Sequence, residues 1–127
     1  MIKGLGTDII EIERVKKAIL RTASFKDKVF LDTEQLLFST ADGRFKMESL
    51  AGAFAAKEAV SKALGTGFRS FTPLEIEVTK DTYGKPSVLL HGNAKHLAHQ
   101  LGIEKILLTI AHSKEYATAT AIAEGRE

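Results

Sequence analysis

The sequence predicts an α+β fold in which antiparallel hairpins form the sheet and helices are grouped against it. Residues 74–79 alternate apolar and polar side chains, and residues 87–90 return as a second strand after a turn. A second hairpin is predicted from residues 105–111 and 116–123. Residues 50–64, by contrast, contain six alanines and no proline, which is typical of a long helix. Hairpins combined with separate helices indicate the α+β class.

The length and composition fit one domain, which we expect to span residues 1–127. A hydrophobic content of 44% and a charged content of 27% are ordinary for a globular protein. No apolar run reaches the length of a membrane span and the first residues do not resemble a signal peptide, so we expect a cytoplasmic protein without a membrane partner. The absence of cysteine excludes disulfides and thiolate ligands, and a net charge of +2 gives no reason to expect nucleic-acid binding.

The first strand is predicted over residues 2–10, apolar on both faces near its end and therefore buried. Asp8 interrupts this strand, and a buried aspartate needs a cation, a hydrogen-bond donor or water. Two explanations are open from the residues alone. Asp8 either caps the following helix or binds a metal.

The next segment, residues 11–21, is predicted to be an amphipathic helix. Its apolar residues fall within a narrow arc, and Arg14, Lys17 and Arg21 fall on the opposite side. We call these three residues the basic stripe. It is either a solvated helix face or a docking surface for an acidic partner. A short helix over residues 33–39, capped by Asp32 or Thr33, follows.

The predicted central helix carries charges beside a stripe of small side chains. Glu58 and Lys62, spaced i,i+4, lie at the edge of that stripe, where a backbone or a ligand can approach closely. They form either an ordinary surface ion pair or, in the case of Glu58, half of a metal site that needs a second carboxylate. The following Gly65-Thr66-Gly67 could present N–H groups to a phosphate but lacks the ending of a nucleotide P-loop.

A further helix is predicted from an Asn93 cap to Leu101. His96 and His99 are spaced i,i+3 on it, which could suit a metal, but no third ligand is evident. His112 is predicted at a strand end, where polar side chains converge at the rim of the sheet.

Several of these segments form a recognisable pattern. Gly6-Thr7-Asp8 is followed by Arg14, and the central helix reads Phe54-Ala-Ala-Lys57-Glu58-Ala-Val-Ser61-Lys62-Ala-Leu-Gly65. Together with Gly84-Lys85-Pro86 and the stretch 109–117, these motifs resemble, in order, those of the 4′-phosphopantetheinyl transferases of the small bacterial holo-acyl-carrier-protein synthase type. The similarity spans nearly the whole chain.

The resemblance implies an activity and a cofactor. The phosphopantetheine arm of coenzyme A would be transferred to a serine of an apo-acyl carrier protein, with release of adenosine 3′,5′-bisphosphate. Asp8 and Glu58 match the family's Mg²⁺ ligands, and without metal their repulsion should raise at least one pKa. Glu58 is the candidate base for the serine proton, directly or through a water on the metal.

The resemblance also implies the substrate contacts. Lys62 would contact the phosphates of coenzyme A and act in catalysis with Asp8 and Glu58. Six residues would line the nucleotide part of the site: Ser61, Gly65, Lys85, Pro86, Thr109 and His112. Arg14, Arg21 and Phe25 would face the carrier protein, whose helices are acidic. Attraction to such a partner would explain why the basic stripe is positively charged.

Two further expectations come from the family. Ala111 stands where many relatives carry a second hydroxyl residue, so a phosphate contact is missing there and Ser113 is a possible substitute. Larger members contain two such folds in one chain, whereas this length matches a single half. The resemblance therefore implies a homotrimer with sites between protomers.

Two other function classes fit the same residues. A Mg²⁺-dependent pyrophosphate or nucleotide hydrolase would use the two acids with water as nucleophile. A non-catalytic adaptor would only hold an acidic partner on the basic stripe, and its binding would not depend on Mg²⁺ or coenzyme A.

Overall fold

The computed structural model describes residues 1–126, which form two small sheets and a set of helices. The strands are β1 (Ile2–Glu11), β2 (Ile76–Lys80), β3 (Pro86–Leu90), β4 (Ile103–His112) and β5 (Tyr116–Gly125). The helices are α1 (Ile12–Arg21), α2 (Phe25–Val29), α3 (Asp32–Leu37), α4 (Met47–Ala63) and α5 (Gly92–Gln100). A short 3₁₀ helix, Pro73–Glu75, precedes β2.

Both sheets are antiparallel, and the α+β class is confirmed. One sheet has the strand order β1-β5-β4, and the other is the β2-β3 hairpin. The second predicted hairpin is the β4-β5 pair, while β1 completes that sheet by pairing with β5 along nearly its whole length. Helix α4 packs across β1 and β5 and supplies much of the buried core.

The contact between α4 and β1 is close because both surfaces lack bulky side chains. A Cβ at Gly6 would lie 1.9 Å from the carbonyl oxygen of Ala59, and one at Gly4 would lie 1.9 Å from that of Ala63. Glycine is therefore required at these two strand positions. Asp8 is the next residue on the same face of β1, so this packing carries its carboxylate to the edge of α4.

A buried ion pair attaches α3 to α4. The Nζ of Lys57 donates to Oε1 of Glu34 at 2.8 Å and to the carbonyl oxygens of Pro73 and Ile76 at 2.9 and 2.5 Å. Glu34 also accepts from the backbone N–H groups of Leu31 and Val78. Lys57 belongs to the signature segment of the central helix. Its hydrogen bonds connect α4 to α3, to the 3₁₀ helix and to the start of β2.

The predicted helix caps are wrong. Helix α3 begins at Asp32 with Leu31 as its N-cap residue, and the Glu34 carboxylate satisfies the Leu31 N–H. Helix α5 begins at Gly92 after the N-cap His91. Asn93 lies inside α5, where its backbone N–H donates to the Glu75 carboxylate at 2.6 Å.

The expectation that β1 is buried on both faces is also wrong. Gly4, Gly6 and Asp8 face α4, whereas Leu5 and Ile9 on the other face are each 66% exposed. The strand register places residues of β4 and β5 beside them. We call this surface the outer face; its rows are Leu5, Ile122 and Leu107, then Thr7, Thr120 and Thr109, then Ile9, Thr118 and Ala111.

Within residues 1–126, none of the helices combines the length and the apolar character that crossing a membrane requires.

Candidate active site

Asp8 and Glu58 line one cavity of about 350 Å³. Asp8 comes from β1 and Glu58 from α4, and the close packing at Gly4 and Gly6 brings the two elements together. Helix α1 supplies another wall through Arg14. The remaining lining residues are apolar: Ile9, Ile10, Val15, Ala18, Phe25 and Phe54.

The Asp8 carboxylate and burial both affect the ionisation of Glu58. Burial raises the pKa of Glu58, the carboxylate of Asp8 raises it further, and Lys62 opposes both effects. This agrees with the expectation that one member of the carboxylate pair is harder to ionise when no metal shares its charge.

Lys62 pairs with Asp8 and not with Glu58, so the first of the two explanations for Glu58 and Lys62, an ordinary i,i+4 ion pair, is wrong. Its Nζ lies 3.2 Å from Oδ1 of Asp8 and donates to the carbonyl oxygen of Thr7 at 2.9 Å. Asp8 does not cap α1 either, since the N-cap residue is Glu11. Of the two explanations for Asp8, the helix cap is therefore wrong, and metal binding stays a prediction.

The donor set suits Mg²⁺. This ion prefers oxygen ligands and commonly takes one or two carboxylates, several waters and substrate phosphates. Asp8 and Glu58 supply two such carboxylates at one cavity. In the part of the chain that the structure describes, no group of three or more His, Asp or Glu residues could hold a metal, and this includes the surroundings of His96 and His99 on α5.

The predicted carrier-binding residues lie on and beside the same cavity. Arg14 and Phe25 line it, and the Phe25 ring lies 6.2 Å from that of Phe54. Arg21 lies two turns beyond Arg14 on α1, is exposed and does not line the cavity. The basic stripe is exposed, as predicted, because α1 packs inward through Val15.

Ser61 and Gly65 make hydrogen bonds to the backbone of the central helix. The Ser61 hydroxyl is buried and donates to the carbonyl oxygen of Glu58 at 2.7 Å, so its contact with a substrate stays a prediction. Gly65 has a φ of 89° just after the helix end, and its N–H donates to the Lys62 carbonyl oxygen. The Gly67 N–H donates to the Ser61 carbonyl oxygen. Two N–H groups suggested for phosphate binding are therefore already engaged.

Four predicted nucleotide-binding residues lie away from the cavity in one copy of the chain. Lys85 and Pro86 are at the β2-β3 turn, and Thr109 and His112 are on β4. Thr109 is on the outer face, on the opposite side of the sheet from α4. Ala111 lies on the same face. The proposed substitute Ser113 accepts a hydrogen bond from the Tyr116 N–H in the β4-β5 turn.

Sequence reasoning did not single out Phe54 as a site residue. It lines the cavity, is partly buried and stacks obliquely on Phe25. Its position four residues before Glu58 places both on one side of α4, and this spacing is the signal that could have identified it.

Comparison with known proteins gives a consistent result. Residues 4–121 match the family model of the 4′-phosphopantetheinyl transferase superfamily. The chain is 52% identical over 123 residues to the holo-[acyl-carrier-protein] synthase of Alkaliphilus oremlandii, covering 97% of this chain and 99% of that protein. The crystal structure of holo-ACP-synthase from Plasmodium yoelii is similar with a TM-score of 0.88 and 37% identity, covering 100% of this chain and 98% of the other. The Helicobacter pylori holo-[acyl-carrier-protein] synthase, solved in complex with coenzyme A, has a TM-score of 0.82 and 30% identity, covering 94% and 99%.

Proposed function

Because this chain belongs to the 4′-phosphopantetheinyl transferase superfamily, we propose that it is a holo-acyl-carrier-protein synthase that uses Mg²⁺ held by Asp8 and Glu58. It transfers the 4′-phosphopantetheine group of coenzyme A to a serine of an apo-acyl carrier protein. Adenosine 3′,5′-bisphosphate is the other product. The observation that carries the proposal is the carboxylate pair on one cavity, next to the exposed Arg14.

The reaction forms one bond from the serine oxygen to phosphorus and breaks one bond within the pyrophosphate. The serine hydroxyl loses its proton, and the leaving phosphate oxygen gains charge. When bound, Mg²⁺ supplies positive charge to the phosphate oxygens. Glu58, whose pKa is raised by burial and by Asp8, is the proposed acceptor of the serine proton, and Lys62 supplies a second cation beside the carboxylates.

The carrier protein would approach along α1. Arg14, Lys17 and Arg21 are exposed, and none of them has an ion-pair partner among residues 1–126. A row of unpaired cations beside the cavity suits an acidic protein that must bring one serine to the carboxylates. The partly buried Phe25 offers an apolar contact next to this row.

We also propose a homotrimer with sites between protomers. The outer face exposes Leu5 and Ile9, each at 66%, on a surface that a second copy can cover. Thr109 lies on this face, away from Asp8 and Glu58 of its own copy. Contact between outer faces would bring Thr109 of one protomer close to a neighbouring protomer. A nucleotide site formed by residues of two protomers would require this proximity.

The first experiment measures the intact mass of a purified apo-acyl carrier protein after incubation with this protein, coenzyme A and Mg²⁺. A gain of one phosphopantetheine group is expected. The gain should be absent with a chelator and with Glu58→Gln, while Glu48→Gln, which changes an exposed carboxylate on the same helix, should transfer normally.

Two results would contradict the proposal. Release of the bisphosphate from coenzyme A at the same rate without carrier protein indicates the hydrolase. A carrier that binds the protein equally well without Mg²⁺ and coenzyme A, and whose mass does not change, indicates the adaptor.

A further inference from the structure

Lys62 is the cation on Asp8 in this structure. Its Nζ contacts Oδ1 of Asp8 at 3.2 Å and the carbonyl oxygen of Thr7 at 2.9 Å. Among the described residues, Glu58 has no basic side chain within ion-pair distance. One half of the carboxylate pair is therefore neutralised by a lysine and the other half is not.

This ion pair occupies Oδ1 of Asp8, an oxygen that a metal ion bound to this carboxylate could also use. A lysine ammonium and a divalent cation on the same carboxylate repel each other at a separation of a few ångströms. The Lys62 side chain is 53% exposed, compared with 19% for Asp8. A half-exposed lysine on a flexible stem can leave its partner without disturbing the packing of α4 on β1.

We propose that Lys62 is an exchangeable counter-ion that couples metal binding to phosphate binding. It neutralises Asp8 in the metal-free protein, leaves Asp8 when a divalent cation binds there, and then pairs with a phosphate of coenzyme A. The inference rests on the proposed function, because it assumes that Asp8 binds the metal and that the substrate carries phosphates. It adds that one side chain links the two binding events.

The coupling has a definite sign. Without nucleotide, Lys62 competes with the metal for Asp8 and weakens metal binding. A nucleotide phosphate offers Lys62 another anion and removes that competition, so the nucleotide strengthens metal binding. By linkage, the metal strengthens nucleotide binding by the same factor.

The test is a titration of the full-length protein with Mn²⁺, followed by electron paramagnetic resonance of the free ion, with and without adenosine 3′,5′-bisphosphate. Lys62→Met keeps the length of the stem and removes the charge. We expect it to bind Mn²⁺ about two- to fivefold more tightly than the wild type in the absence of nucleotide, the range expected for losing a partly exposed ion pair. The bisphosphate should tighten Mn²⁺ binding by a larger factor in the wild type than in this variant.

Two variants control for other effects of the substitution. Lys95→Met removes an exposed lysine from α5, which does not line the cavity, and should bind Mn²⁺ like the wild type. Lys62→Arg keeps a cation that can compete for Asp8 and should also stay near the wild-type affinity. A merely structural role for Lys62 would not tighten metal binding in Lys62→Met.

The exchange is overturned if Lys62→Met binds Mn²⁺ no more tightly than Lys95→Met, or if the bisphosphate tightens binding equally in the wild type and in Lys62→Met. The carrier-mass experiment reads transfer separately. A wild type that modifies the carrier but gives either of these results keeps its function and loses the exchange. A wild type that binds no Mn²⁺ overturns both the exchange and the metal assignment.

Discussion

At the scale of single residues, Glu58 combines a proposed role in metal binding with a cost in stability. Burial raises its pKa, and Asp8 adds to the effect. The folded chain therefore holds the Glu58 proton at pH values where the unfolded chain has released it. The stability from this group is present below the unfolded pKa and is lost as pH rises through the folded pKa.

We expect Glu58→Gln to be more stable than the wild type at neutral pH in metal-free buffer, by about 0.5 kcal/mol once solvent screening is considered. The difference should close as pH falls toward about 4, because the wild-type carboxyl is then protonated. Urea unfolding at both pH values measures this, with Glu48→Gln as the control. A Glu58→Gln protein less stable than the wild type at neutral pH would contradict it.

Removing the charge of Lys57, which is in the same helix as Glu58, should lower stability instead of raising it. Lys57 is 1% exposed and Glu34 is fully buried, and burial lowers the pKa of Lys57 while Glu34 opposes that change. Lys57→Met leaves the Glu34 carboxylate buried without its cation. We expect a loss of about 3 to 5 kcal/mol in the free energy of unfolding.

The double variant Lys57→Met with Glu34→Gln distinguishes a pair from two independent residues. Removing both charges should recover part of the stability lost in the single variant, since the amide oxygen of glutamine can still accept from the Leu31 N–H. Thermal unfolding of four proteins, namely the wild type, Lys57→Met, Glu34→Gln and the double variant, gives the coupling energy. Additive losses would show that the two charges do not stabilise each other.

At the scale of elements, the contact between α4 and β1 positions the site. Gly6→Ala would place a Cβ 1.9 Å from the Ala59 carbonyl oxygen, and backbone on both sides leaves no room for adjustment. We expect a loss above about 3 kcal/mol, or failure to fold. Gly43→Ala is the matched control: it has nothing within 4 Å and a φ of 87°, so only backbone strain of about 1 kcal/mol is expected. Equal losses in denaturant midpoints would refute a packing requirement at Gly6.

The same contact shows what sequence patterns can predict. The small-residue stripe of the central helix predicts close approach by a backbone, and Asp8 and Glu58 are brought together as the family motifs imply. The identity of the approaching strand does not follow from local periodicity, because β1 pairs with β5 more than 100 residues later. For the same reason, apolar residues on both sides of β1 did not distinguish a buried face from the exposed outer face.

Ion-pair partners were less predictable than elements. The i,i+4 spacing favoured Glu58 with Lys62, but Lys62 reaches Asp8 because β1 lies closer to its ammonium than the helix neighbour does. The Lys57–Glu34 pair joins residues 23 apart in the sequence, a separation that no helical or strand repeat encodes. Side-chain chemistry at the site therefore depends on tertiary packing that only the structure supplies.

At the scale of the whole molecule, the basic stripe is expected to control association with the carrier protein. Arg14→Glu with Arg21→Glu should slow carrier binding on the order of tenfold at low salt and reduce its salt dependence. Coenzyme A binding should change little. Stopped-flow association at several salt concentrations measures the effect. Arg44→Glu with Lys95→Glu makes the same change in net charge away from α1, and an equal slowing there would argue against a local docking surface.

The outer face is the proposed contact between protomers. Leu5 is on the outer face and does not line the cavity. If the outer face joins the protomers, Leu5→Glu places a charge where each copy buries an apolar side chain worth about 1.5 to 3 kcal/mol, and the trimer should dissociate. Leu36→Glu is the matched control, because Leu36 is 79% exposed on α3 and lies outside the outer face. Sedimentation velocity should show a trimer for the wild type and Leu36→Glu, and monomers for Leu5→Glu.

Transfer activity should follow the assembly state. Thr109 and the carboxylate pair lie on opposite sides of the sheet in one copy. In the proposed trimer, a dissociated protomer would keep Asp8 and Glu58 but lose the nucleotide contacts proposed for a neighbouring copy. Leu5→Glu should therefore raise the KM for coenzyme A steeply while Mn²⁺ still binds. A monomeric variant with wild-type transfer would show that one copy holds the complete site, and that the exposed outer face serves another purpose.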